Sequence, residues 1–163
     1  MKKEVIVISL GGSQIFKDNE VNLNFLLNFK KLLLKHSNKY KFVIVCGGGF
    51  VARLYINALK KAGKNEKLQG YAGISATRTN ARFVSYFFGE DLLEGVPTTT
   101  KQVENLIKRN NIVFCGALEY KTDQTSDSTA ASIASHLKSG FINITNVSGL
   151  FNSNPVTNKN AKL

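Results

Sequence analysis

Tryptophan is absent from this chain, methionine occurs once, and proline and cysteine occur only twice each among 163 residues. So little proline excludes a polyproline rod, a collagen-like repeat or a Pro-rich linker. The cysteines, Cys46 and Cys115, each close an apolar run and belong to no metal-type spacing. That excludes a disulfide scaffold and a zinc module, and leaves two buried strand-end thiols in a reducing compartment. No apolar run approaches the roughly 18 residues of a membrane span. The apolar start Val5–Leu10 follows Glu4 and has no small-residue cleavage pattern, so it reads as a first strand rather than an export signal. A cytoplasmic location, with no membrane partner, is the expectation.

Acidic residues are also scarce, 11 Asp and Glu against 22 Lys and Arg, for a formal charge of +11. Such a balance invites a polyanion partner. The lysines are scattered, however (Lys30-Lys31, Lys35, Lys39, Lys41, Lys60-Lys61, Lys64, Lys67), and no aromatic–basic RNA signature is interleaved with them. A small anionic ligand is favoured over DNA or RNA.

What is there is a 43% hydrophobic chain, enough for one core and one domain over residues 1–163. Val5–Leu10 and Phe42–Cys46 read as buried strands, and Ile112–Cys115 and Phe141–Thr145 as two further strands. Helices are predicted over Val21–His36 (Leu23, Leu26, Leu27, Leu33 and Leu34 inward), from Phe50 to Gly63, and over Ile74–Phe88, Val103–Lys108 and Asp127–Lys138. In the second, Phe50, Val51, Leu54, Tyr55, Ala58, Leu59 and Ala62 share a face. The alternation predicts an α/β fold, a mostly parallel sheet covered on both faces.

In such a sheet ligands gather at the carboxyl ends of the strands. "LGGS" (Leu10–Ser13) and "CGGG" (Cys46–Gly49) follow the first two strands, and "TSD" (Thr125–Asp127) precedes the last helix. Successive glycines let backbone N–H groups turn toward one point, and a following helix N-terminus adds positive charge. Arg53, one turn inside its helix, can meet the same anion, and Arg78 in "ATRTNA" is a second clamp candidate. Neither glycine stretch is a P-loop or a dinucleotide fingerprint. The ordinary alternatives are that the glycines only make tight turns, and that Ser126 or Asp127 only caps a helix. His36 and His136 lie in helix patterns without a ligand cluster, and no metal-ligating residue is assigned.

"VISLGGS", "FVIVCGGGFVARLYI", "GISATRTNA", "TSDSTAASIA" and "ITNVSGLFNSNP" occur in that order across nearly the whole chain. Together they resemble the amino acid kinase family, most closely its archaeal-type UMP kinase branch. The resemblance implies a three-layer α/β/α sandwich and transfer of a phosphoryl group from ATP to UMP with Mg²⁺, without a phosphoenzyme. A homo-oligomer, typically a hexamer, and a role in pyrimidine nucleotide synthesis are implied with it. It assigns Gly11, Gly12 and Ser13 to the loop around the transferred phosphate, and Gly48, Gly49 and Arg53 to the acceptor phosphate. Thr77, Arg78 and Asn80 would line the UMP site, Thr125 would lie by the acceptor phosphate, and Asp127 would organise the reaction centre. Asn146, Gly149, Phe151 and Pro155 would begin the ATP site.

There are departures. Ser9 stands where the family usually has lysine, and Gly70 where an aspartate commonly holds the acceptor ribose. Val147-Ser148-Gly149 replaces Val-Asp-Gly, as in N-acetylglutamate kinases, and Asn154-Pro155 replaces Asp-Pro. The family's chains continue beyond the position of Leu163, so the nucleotide-binding C-terminal part is expected to be missing here. An N-acetylglutamate kinase-like enzyme and a non-catalytic nucleotide- or oxyanion-binding module are the alternatives.

Overall fold

The structure, a computed structural model, describes residues 3–90, 92, 95–122, 124–146, 149, 153, 158, 160 and 162. Four parallel strands form its centre: β1 (Glu4–Leu10), β4 (Tyr40–Cys46), β5 (Ile112–Cys115) and β6 (Gly140–Ile144), in the order β5-β4-β1-β6. The predicted strands are all present, within two residues at their ends.

Strand side chains alternate between faces, and that alternation builds two cores. Ile8, Leu10, Phe42, Ile44, Cys46 and Phe114 pack against Leu26, Phe29 and Leu33 of α2 (Leu23–His36) and Ala81 and Val84 of α4 (Glu66–Phe87). Val7, Val43, Val45, Val113 and Cys115 pack on the other face. Their partners are Val103 and Ile107 of α5 (Thr100–Arg109) and Ala130, Ile133 and Ala134 of α6 (Ser126–Leu137). The result is helix, sheet, helix: the expected three layers.

Several boundaries and faces differ from expectation. Asn22 caps α2, which buries Leu26, Phe29 and Leu33 and leaves Leu23, Leu27 and Leu34 about half exposed. The helix α3 (Gly49–Lys61) lies on α4 rather than on the sheet. Only Ala52 is buried there; of the predicted apolar face, Phe50 meets the Phe16 ring (centroids 5.3 Å), while Leu54, Tyr55 and Ala58 are exposed. Asn65 caps α4, which begins at Glu66, eight residues before the predicted start, because Gly70 and Gly73 hide the helical pattern of its first turns. The strand β6 is one edge of the sheet, and its Phe141 and Ile142 are exposed. A four-residue helix, α1 (Gly12–Ile15), and a small hairpin, β2 (Phe16–Lys17) and β3 (Glu20–Val21), were not predicted. Asp18 and Asn19 turn the hairpin with φ of 51° and 65°, which short polar side chains tolerate.

No helix among the described residues is long and apolar enough to cross a membrane.

Candidate functional site

The parallel register sets Leu10 opposite Cys46, so β1 and β4 end level with each other. Their two glycine turns therefore meet. A Cβ on Gly12 would lie 2.1 Å from the Gly49 nitrogen, and one on Gly47 would lie 2.7 Å from the Gly12 nitrogen. Gly49 has φ of 59°, and a Cβ there would meet the Gly12 carbonyl oxygen at 2.8 Å. Glycine is thus required by the turns themselves, backbone against backbone, and the tight-turn reading holds at Gly12, Gly47 and Gly49 whatever else they do.

Asn80 decides which way the second turn faces. Its buried side-chain amide donates to the carbonyls of Gly47 (2.8 Å) and Gly48 (3.1 Å). In a trans peptide the N–H points opposite to its carbonyl. Holding those two oxygens therefore aims the amides of Gly48 and Gly49 away from Asn80. Both amides, with those of Gly12 and Ser13, form no hydrogen bond among the described residues. Gly48 precedes α3 and brings no side-chain cap, so the first-turn amides of that helix are open as well. Arg53 is exposed on this helix and has no ion pair among the described residues. Unpartnered amides, a helix N-terminus and one free guanidinium can hold a phosphate or another oxyanion.

Other predicted site residues have protein partners. Arg78 donates from Nε to the Ala117 carbonyl (3.1 Å) and from Nη2 to the Leu118 carbonyl. The Thr77 hydroxyl accepts from the Ala117 amide at 2.9 Å and donates to Ile74. A Cβ on Gly116 would lie 2.6 Å from Thr77, so the loop after β5 lies flush on α4. Thr77, Arg78 and Asn80 are fasteners between α4 and two loops, a role the sequence did not indicate.

Asp127 does not cap α6. The cap is Thr125, whose hydroxyl accepts from the Ser128 amide while the Ser128 hydroxyl accepts from the Thr125 amide. This leaves the half-buried Asp127 carboxylate free to turn toward the sheet, where its Oδ1 accepts from the Ser9 hydroxyl at 2.6 Å. Ser9 is fully buried at the end of β1, next to the first glycine turn. A lone serine in a run of valine, isoleucine and leucine is the signal that marks it. Ser126 Oγ would be 3.1 Å from a Cβ on Gly47, so α6 begins against the same turns.

Asn146 is exposed, two residues beyond β6, and Gly149 is half-buried. Phe151 and Pro155 lie outside the described residues, as do Val147, Ser148 and Asn154.

No group of three or more His, Cys, Asp or Glu able to hold a metal occurs among the described residues. His136 pairs with Glu104 (3.1 Å), which also meets Lys108 (2.6 Å), far from the glycine turns in chain and on an exposed face. Lys108 and then His136 lower the Glu104 carboxyl below its ordinary value. Cys46 and Cys115 are free and buried on opposite faces of the sheet. Burial pushes the Cys46 thiol well up and the Cys115 thiol to about 12, so both are protonated and unreactive at neutral pH.

Comparison with known proteins agrees with this architecture. The uridylate kinase of Thermoplasma volcanium is 37% identical over 165 residues, covering 98% of this chain and 68% of its own. That of Methanosarcina barkeri is 32% identical over 152 residues, covering 93% of this chain. The chain spans 64% of the length of that relative. The crystal structure of uridylate kinase from Archaeoglobus fulgidus superposes with a TM-score of 0.78 at 31% identity, covering 96% of this chain and 71% of the other. The model of the amino acid kinase family matches residues 4–163. With a match that begins at β1 and takes in every strand of the sheet, the chain belongs to the amino acid kinase family.

Proposed function

We propose that this chain carries the acceptor side of a UMP kinase, which transfers a phosphoryl group from ATP to UMP and yields ADP and UDP. The observation that supports it most is the pair of touching glycine turns, with the amides of Gly12, Ser13, Gly48 and Gly49 unpartnered among the described residues. Similarity to uridylate kinases over nearly the whole chain supports the choice of reaction.

Phosphoryl transfer demands positioning and neutralisation of charge more than covalent chemistry. Gly12 and Ser13 would hold the phosphate in transit, with Gly11 behind them because its amide donates to the Ile144 carbonyl (3.0 Å), while Gly48, Gly49 and Arg53 would hold the phosphate of UMP. Thr77, Arg78 and Asn80 act behind them: they keep both loops in place so that the amides converge. Thr125 fixes the start of α6, and Asp127 is thereby presented beside the turns. The nucleophile is a phosphate oxygen that is already anionic, so no general base is needed. Asn146, Gly149, Phe151 and Pro155 would begin the ATP site.

Mg²⁺ would supply charge neutralisation across the phosphate oxygens. The donor set fits it: this ion keeps several waters and takes one or two carboxylates plus substrate phosphates, and Asp127 is the one carboxylate held at the turns among the described residues. The proposal extends to a homo-oligomer and a cytoplasmic setting, as in the resembled branch.

A coupled assay of ADP formation with UMP, CMP, N-acetylglutamate or no acceptor tests the reading. Turnover with UMP alone, lost in Asp127→Asn, is expected. Turnover with N-acetylglutamate instead, or nucleotide binding without turnover, replaces this reading with another kinase or with a binding module.

A further inference from the structure

Ser9 shares with Val7 the face of β1 that α6 covers. Its register partners on the flanking strands are Val45 of β4 and Asn143 of β6. Val45 is fully buried and has no polar group, and Asn143 is exposed at the sheet edge. The Asp127 carboxylate therefore meets one buried donor on the sheet, the Ser9 hydroxyl, at the short 2.6 Å of a charge-assisted bond. That bond is its one side-chain partner among the described residues, and it is neutral. Asp127 forms no ion pair among them, although it stands in the first turn of α6, where negative charge is favoured. Arg78 is engaged by the Ala117 and Leu118 carbonyls, and Arg53 stays exposed on α3.

A hydroxyl and an ammonium would act differently at this spot. Either one orients the oxygen it binds, but only the ammonium cancels the charge. Ser9 holds Oδ1 against the sheet and leaves Oδ2 without a partner among the described residues. The start of α6 lies against the glycine turns, with Ser126 Oγ 3.1 Å from a Cβ on Gly47. A fixed negative charge thus stands beside amides that are open to an anion. A phosphate arriving alone is attracted by the amides of Gly12 and Ser13 and repelled by Asp127. That repulsion is several times stronger at a half-buried group than in bulk water.

We propose that Ser9 is a positioning residue of this site: it holds Asp127 oriented but uncompensated, so that phosphate capture at the glycine turns is coupled to a divalent cation. This rests on the phosphate-site reading above and deepens it. The oriented Oδ2 offers the cation one carboxylate oxygen, and the phosphate supplies further oxygens, the donor mixture that Mg²⁺ takes. The coupling is reciprocal: the cation raises phosphate affinity by the same factor by which phosphate raises cation affinity.

Calorimetry on the whole chain with inorganic phosphate, with and without Mg²⁺, tests it. The wild type is expected to bind phosphate about 5- to 150-fold more tightly with Mg²⁺, the usual range of coupling between two ligands. Electron paramagnetic resonance of Mn²⁺, with and without phosphate, should return a similar factor. Asp127→Asn keeps an acceptor for Ser9 and removes the charge. It is expected to bind phosphate more tightly than the wild type without Mg²⁺, and to bring the factor to about twofold or less. Ser9→Ala keeps the charge but frees the carboxylate to turn toward water. Its factor should also fall to about twofold or less, with phosphate affinity in the absence of Mg²⁺ no weaker than wild type, and Ser9→Thr should keep the factor. The inference is overturned if the wild type shows no Mg²⁺ effect, or if Asp127→Asn or Ser9→Ala keeps the wild-type factor. Equal weakening with and without Mg²⁺ in Ser9→Ala, the mark of a merely structural role, overturns it too. Failure of the wild type to bind phosphate under either condition defeats the phosphate-site reading itself, and the inference with it.

Discussion

Gly12→Ala is the substitution for which the structure makes the sharpest demand. The new Cβ would sit 2.1 Å from the Gly49 nitrogen and 2.3 Å from the Gly49 Cα. Both are backbone atoms, anchored by adjacent paired strands, and no rotamer can relieve them. Non-bonded carbon atoms settle at about 3.5–4.0 Å, so the turns must part by more than about 1 Å. Overpacking usually costs about 1–3 kcal/mol, and a contact between two backbones belongs at the upper end. At roughly 2–4 °C per kcal/mol for a chain of this size, melting should fall by about 6–12 °C. Parting the turns also separates the amides of Gly12 and Gly49, so phosphate and UMP affinity should fall with stability. Gly73→Ala is the control: its Cβ would be 3.2 Å from Ile56 Cδ1, the end of a flexible side chain, and alanine gains about 1 kcal/mol of helix propensity. Thermal melts with calorimetry on both variants decide the matter. A Gly12→Ala protein that melts with the wild type and binds phosphate as well refutes the touching-turn geometry.

Three further outcomes are expected. Ser9→Ala removes the hydroxyl that Asp127 accepts from, and should cost about 1.5 kcal/mol in urea unfolding, the low end for a charged acceptor because Asp127 is half-buried. Thr125→Ala should cost about 1 kcal/mol by loss of the α6 cap, and Thr125→Ser should restore most of it in the same assay. The buried thiols stay protonated while unfolded ones ionise, so their contribution is complete below pH 9 and declines as pH rises toward about 12. Urea midpoints taken across that interval should fall, and Cys115→Ala should make the fall shallower; an unchanged slope would count against the burial of Cys115.

The sheet was legible because β-branched runs such as "VIVIS" and "FVIV" end in glycine, a pattern with one reading. The glycine turns were legible as chemistry too, though for Gly12 and Gly49 the first reason for glycine is mutual contact, which no local pattern can express. Asn80 shows the limit most clearly. Its motif marked it as a site residue, but its grip on the Gly47 and Gly48 carbonyls depends on a loop more than thirty residues away in sequence. Helix faces were less legible. In α3 the apolar stripe through Leu54 and Tyr55 predicts burial, while the layer it would need is absent among the described residues. Tyr120 carried no motif at all. Only the fold shows that Gly70, which the family resemblance marks as a missing carboxylate, is a seat for the Tyr120 ring.

The central claim is that bare amides at the carboxyl edge of β1 and β4 bind phosphate. Amide resonances of Gly12, Ser13, Gly48 and Gly49, followed by NMR during a UMP titration, test it most directly. Large, saturable shifts at these four amides, reproduced in part by inorganic phosphate, are the predicted result. Saturable binding that moves a distant set of amides and leaves these four unchanged would contradict it.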